Sequence, residues 1–150
     1  MKSLKQKLYA HCHQWVDEKI ALAQNVIRNA QSSANQETKS SAGDKYETGR
    51  AMAQLEIEKS TTQLAEANKL KQLLNELSSE TLSPKARLGS LIETDNGWFY
   101  LSISAGKVAI DGIDCICLSP ASPLGNQMMG LQAGDQITLN QLNYFIKNIH

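Results

Sequence analysis

Apolar and small residues in the first half of the chain recur in steps of four and three. Leu8, Cys12, Trp15, Lys19, Leu22, Val26 and Ala30 form one such series, and Ala53, Ile57, Ser60, Leu64, Ala67, Lys71 and Leu74 form another. Steps of this kind keep residues on one stripe of an α-helix, and two facing stripes make a side-by-side helix pair. Two lysines and a serine occupy core slots, so the seam is thin. A hairpin with so thin a seam is marginal alone and calls for support from a second domain or a partner. Gln31 to Gly43 is polar and serine-rich, as a turn requires. Arms of roughly 30 residues rising ~1.5 Å each give a hairpin ~45 Å long.

The pattern changes beyond Ser78–Pro84. No proline precedes Pro84, and only Gly43 and Gly49 precede it among the glycines; the other seven follow. Short apolar runs now alternate with turn signals. Leu88–Ile92 and Trp98–Ile103 flank Thr94-Asp95-Asn96-Gly97, and Val108–Ile110 and Ile113–Leu118 flank Asp111-Gly112. These are hairpin signatures. Gly134-Asp135 precedes a strand at Ile137–Leu139, Tyr144–Ile149 closes the chain, and Pro123–Gly130 suits a short helix. The fold class is therefore α+β. Residues 1–80 form an antiparallel coiled-coil helical hairpin with its tip near 32–47. Residues 81–85 are a linker, and 86–150 are a compact, mainly antiparallel β domain.

Composition narrows the function. Fifteen basic and fifteen acidic side chains balance, so no whole-molecule basic field holds nucleic acid, and DNA contact is expected to be weak. No apolar run has membrane length, and none at the N-terminus resembles a signal peptide. Three cysteines without a secretion signal fit a reducing cytoplasm. His11, Cys12 and His13 do not make a metal site, since helix residues two apart diverge by ~200°. Cys115 and Cys117 fall on one strand face as small core residues. Trp15 reads as seam core, while Trp98, Phe99 and Tyr100 divide between core and docking surface. Asp44 and Glu47, three apart at the start of the second helix, share a helix face. Lys39, Lys45 and Arg50 flank them and suit contact with RNA phosphates.

Two segments resemble the Gre transcript-cleavage factors (GreA and GreB). Gly43-Asp44-Lys45-Tyr46-Glu47 looks like the Gly-Asp-x-x-Glu tip of that family. Ser119-Pro120-Ala121-Ser122-Pro123-Leu124-Gly125, running on through Gly130 to Gly134-Asp135, is similar to a stretch of the Gre C-terminal domain. The order of hairpin, linker and small β domain also agrees. The resemblance implies an FKBP-like fold for residues 86–150. It also implies a bacterial transcription elongation factor that docks on RNA polymerase and enters its secondary channel. There the tip carboxylates, by position Asp44 and Glu47, assist the polymerase magnesium and its water in cleaving backtracked RNA. On this reading the chain is not an autonomous enzyme and has no metal site or cofactor of its own; the Mg2+ belongs to the polymerase, and nascent RNA is met only indirectly. Ser119, Pro120, Ser122, Pro123, Leu124, Gly125, Gly130, Gly134 and Asp135 would shape the docking domain, mostly through the fold. Lys45 and Thr48 depart from the family's small apolar residue and asparagine, the family's tyrosine falls near Ala51, and Tyr46 stands between the acids. These departures bear on cleavage rather than on docking.

Three other readings compete. One is a channel-binding regulator that occludes without cleavage. Another is an FKBP-like isomerase or chaperone, which needs an aromatic-lined pocket; the chain has eight aromatics, five of them in its second half. The third is a coiled-coil adaptor that never touches polymerase.

Overall fold

The computed structural model describes residues 2–37, 43–77 and 82–150, with the side chains of 2, 34–37 and 43–46 left aside. Two long helices come first, α1 at Lys2–Glu37 and α2 at Gly43–Glu76. Strands β1 (Leu91–Thr94), β2 (Gly97–Leu101), β3 (Gly106–Ile110) and β4 (Ile113–Leu118) follow. A short helix α3 (Pro123–Met128) leads to β5 (Gln136–Leu139) and β6 (Leu142–Ile149). The protein is α+β, with a mostly antiparallel six-stranded sheet. Residues 38–42, including Lys39, fall within the expected turn and lie outside the described residues.

The chain forms two compact units, Val16–Gln72 and a second that joins Met1–Trp15 to Leu73–His150. The expected division near 81–85 therefore differs from the compact units. The first turns of α1 and the last of α2 belong with the sheet, because Leu4, Leu8, Cys12 and Leu74 are buried there.

In the hairpin unit, Asp17 near the start of α1 pairs with Lys71 near the end of α2 at 2.9 Å, so the helices run antiparallel. On α2 the expected stripe is the observed one: Ala53, Ser60 and Ala67 are buried, with Ile57, Leu64 and Lys71 half-buried between them. On α1 the expected Ala30 is buried and Trp15 and Val26 are half-buried, but at Lys19 and Leu22 the stripe lies one residue further along. Val16, Ala23 and Ala30 are buried and Ile20 and Ile27 half-buried, whereas Lys19 is exposed and Leu22 is 66% exposed. The reason is size. Helix packing depends on the side chains at the seam, and the buried positions form two heptad rows of mostly small residues, Val16, Ala23, Ala30 and Ala53, Ser60, Ala67. A leucine at that depth would hold them apart.

The sheet has the order β3-β4-β2-β1-β6-β5. Every pair is antiparallel except β2 with β4, which run parallel with Tyr100 opposite Cys117. Two-residue turns close all three hairpins, and two of them have positive φ at both turn residues. Asp111-Gly112 has positive φ at both residues, and so do Asn140 and Gln141 between β5 and β6. That conformation suits the right-handed twist of paired strands. Side chains alternate across the sheet. Ile92, Phe99, Leu101, Leu118, Ile137, Tyr144 and Ile146 form a core on one face with Met128 of α3. Tyr100, Cys115 and Cys117 are buried on the other, where Cys12 of α1 meets Ser102 at 3.4 Å. Phe99, Tyr100 and Tyr144 thus serve packing, and Trp98 is half-buried with its ring stacked on His150.

Candidate functional site

Gly43 opens α2, placing Asp44 in its first turn and Glu47 one turn further on. Residues three apart on a helix are neighbours, about 5–6 Å between Cβ atoms. The first turn of a helix also presents unpaired N–H groups and the positive end of its dipole, which favour acids. Glu47 and Thr48 are exposed, as is Arg50 one turn beyond Glu47. The side chains of Asp44 and Lys45 lie outside the described ones. From this end α2 continues unbroken to Glu76. The hairpin unit thus carries the acid positions roughly 37 Å along the helix from Gln72, at ~1.5 Å per residue.

The Ser119–Asp135 segment is a chain of local hydrogen bonds. The Ser122 hydroxyl donates to the Ser119 carbonyl at 2.6 Å and accepts from the Gly125 N–H at 3.2 Å, capping α3. Ser119 Oγ accepts from the Ala121 N–H, and Ser104 Oγ from the Ser119 N–H. Pro123 occupies the first turn of α3, where a missing N–H is harmless. Leu124 packs against the sheet core. Gly125 is buried, and a Cβ there would collide with the Ser119 carbonyl. Gly130 and Gly134 have φ of 84° and 98°, outside the range of ordinary residues. The Asp135 carboxylate accepts from the Gln132 N–H at 2.9 Å and closes the turn. Pro120 is half-buried. Each of these residues contributes to local geometry.

Three large apolar side chains among the described residues of the hairpin unit are exposed, only one of which, Leu22, belongs to the expected seam. Leu22, Met52 and Leu55 are all about two-thirds exposed on the hairpin unit. Leu22 had been assigned to the seam, and its neighbour Ala23 was the signal against that. Cys12, assigned to the helix stripe, instead faces β-sheet residues. Among the described residues no group of His, Cys, Asp or Glu is arranged to hold a metal, and no helix is long and apolar enough to cross a membrane.

Neither a protein-family model nor a characterised protein matches the chain. Among solved structures it is similar to that titled "Structure of the transcription factor Gfh1", at 17% sequence identity, with 92% of each chain covered and a TM-score of 0.35. A likeness at that level assigns neither family nor activity.

Proposed function

We propose that the chain is a transcription elongation factor of the Gre type. It binds bacterial RNA polymerase, passes its hairpin into the secondary channel, and there assists cleavage of backtracked RNA. The observation that carries this reading is the position of Gly43-Asp44-x-x-Glu47. The motif opens a 34-residue helix in an antiparallel hairpin, and that hairpin precedes a sheet domain bearing the Ser119–Asp135 segment.

The chemistry follows from the two acids. Magnesium takes oxygen ligands and is commonly held by one or two carboxylates with phosphate. When bound in the polymerase it supplies charge stabilisation for phosphodiester hydrolysis. Asp44 and Glu47, adjacent on one helix, offer carboxylate oxygens to a weakly held ion, and withdrawal of the hairpin removes them. Cleavage is then conditional, and the chain itself remains a cofactor-free activator rather than an enzyme. Lys39, Lys45 and Arg50 are the residues suited to the RNA phosphates. Leu22, Met52 and Leu55 give the hairpin exposed apolar side chains suited to the channel wall.

Occlusion without cleavage is the second reading, favoured by Lys45, Tyr46 and Thr48 around the acids. The isomerase reading is disfavoured because Phe99, Tyr100 and Tyr144 are spent in packing. Pulldown with core RNA polymerase tests the proposal. Retention of the wild type, and its loss on replacing Leu22, Met52 and Leu55 together by serine, is the expected result. No retention of the wild type on core polymerase rejects both channel-binding readings.

A further inference from the structure

All three cysteines of the chain meet in one place within the sheet unit, although two of the segments that supply them lie a hundred residues apart. Cys12 comes from α1, and Cys115 and Cys117 from the same face of β4. All three are buried. Cys12 touches the Ser102 hydroxyl at 3.4 Å, and Ser102, whose N–H donates to the Leu118 carbonyl at 2.9 Å, lies beside Cys117 in the paired strands, with Cys115 two residues before it on the same face. Tyr100, paired in register with Cys117, lines the same spot, and its buried hydroxyl has no hydrogen-bond partner among the described residues. A helix and a strand thus bring buried thiols to the same face of the sheet.

We propose that Cys12 and Cys117 are a covalent modification site, forming a reversible disulfide with hydrogen peroxide or a related hydroperoxide as the oxidant. The Cys12 sulfur attacks one peroxide oxygen as the thiolate. The O–O bond breaks, a sulfenic acid forms, and the other oxygen leaves as water after taking a proton. The Cys117 sulfur then displaces the sulfenic oxygen, which leaves as a second water with the Cys117 proton. Two thiols lose two electrons and the peroxide gains them.

The environment assigns the roles. Hydrogen bonds from Cys117 and from Ser102 hold the Cys12 thiol below its ordinary range against the opposing effect of burial. Cys117, as the donor to Cys12, is raised, and burial pushes Cys115 up to about 12. Cys12 is therefore the attacking sulfur and Cys117 the resolving one, while Cys115 stays a thiol. Two residues apart on one strand, Cys115 and Cys117 point the same way from an extended backbone, which does not favour a disulfide between them. Burial makes the reaction slow, because peroxide must wait for local opening of α1. The product staples the first turns of α1 to β4 and constrains the unfolded chain over a long loop. The inference does not depend on the polymerase reading.

The test uses the full chain treated with hydrogen peroxide, quenched by alkylation and digested without reduction. The expected result is one alkylated cysteine, Cys115, a Cys12–Cys117 cross-linked peptide, and a melting temperature raised until dithiothreitol restores the original value. The Cys115→Ser variant should still cross-link, and Cys12→Ala should not. The wild-type peptide map decides the matter even if a variant fails to fold. Three alkylated thiols, stable sulfinic acid at Cys12 without a cross-link, or a bridge involving Cys115 would each overturn the proposal.

Discussion

The seam of the hairpin unit offers a sharp quantitative test, because two adjacent residues on α1 trade roles between rival registers. Ala23 is 5% exposed, while Leu22 is 66% exposed. Ala23→Leu forces three extra carbons into a buried position, and overpacking of that kind costs about 2 kcal/mol. For a unit of this size that is a fall of roughly 10 °C in melting temperature. Leu22→Ala removes three carbons of which only a third of the surface is buried. At ~0.8 kcal/mol per fully buried methylene the loss is about 0.8 kcal/mol, and the better helix propensity of alanine returns ~0.2. The net cost is therefore about 0.6 kcal/mol, a fall of roughly 3 °C. Thermal melts of both variants by far-UV circular dichroism give the comparison. If Leu22→Ala melts far lower while Ala23→Leu is silent, the register with Leu22 in the seam is right and the small-residue seam is wrong.

Three further outcomes follow from the sheet unit. Gly125→Ala should destabilise by about 1–3 kcal/mol in denaturant titrations, because the new Cβ meets the Ser119 carbonyl and the backbone must move; an unchanged midpoint would refute the close approach. Tyr100→Phe should leave stability at neutral pH unchanged or raise it by about 1 kcal/mol, since the buried hydroxyl it removes has no partner among the described residues; a large loss would reveal a hydrogen bond. Alkaline pH should destabilise the protein in part through Cys115, whose thiol burial holds at about 12 against an ordinary 9.0, alongside Cys117 and Tyr100, which are raised as well. Below pH 9 both states keep the proton; above it only the folded state does, so stability falls from pH 9 towards 12 by up to about 1.4 kcal/mol per unit. Lys5, lowered by burial and by the charge of Arg87, acts oppositely as pH approaches 10.5. Comparing unfolding curves with those of Cys115→Ala isolates the thiol: the variant should lose less stability over this range, and an equal loss would refute the assignment.

Much of this architecture was legible because glycine and proline punctuate the chain so unevenly. Asp111-Gly112 and Asp95-Asn96-Gly97 announced their turns, and the strands lie within about three residues of the expected bounds. Asn140-Gln141 gave no such signal, since neither residue is glycine and their positive φ values are imposed by the β5–β6 pairing. At Leu22 the periodicity points to the wrong register, because a leucine looks more like core than the alanine beside it does. The periodicity of the sequence does not reveal how closely two helices approach. The acid pair was legible as a motif, and its helical spacing is now explicit. The meeting of Cys12 with Cys117 had no local sign, because it exists only once the sheet unit has folded.

Cleavage of RNA in a stalled, backtracked complex of bacterial RNA polymerase tests the central claim most directly. Wild-type protein should shorten the transcript from its 3′ end. Asp44→Ala and Glu47→Ala should each slow that cleavage on the order of 10–100-fold, as expected when a group positioning a metal is lost. Glu47 is exposed, so its variant should retain polymerase binding and melt within about 0.5 kcal/mol of wild type. If the wild type displaces a cleavage factor and cuts nothing, the chain is an occluding regulator and the cleavage claim is contradicted. If both variants cut as fast as wild type, the acids have been assigned the wrong role.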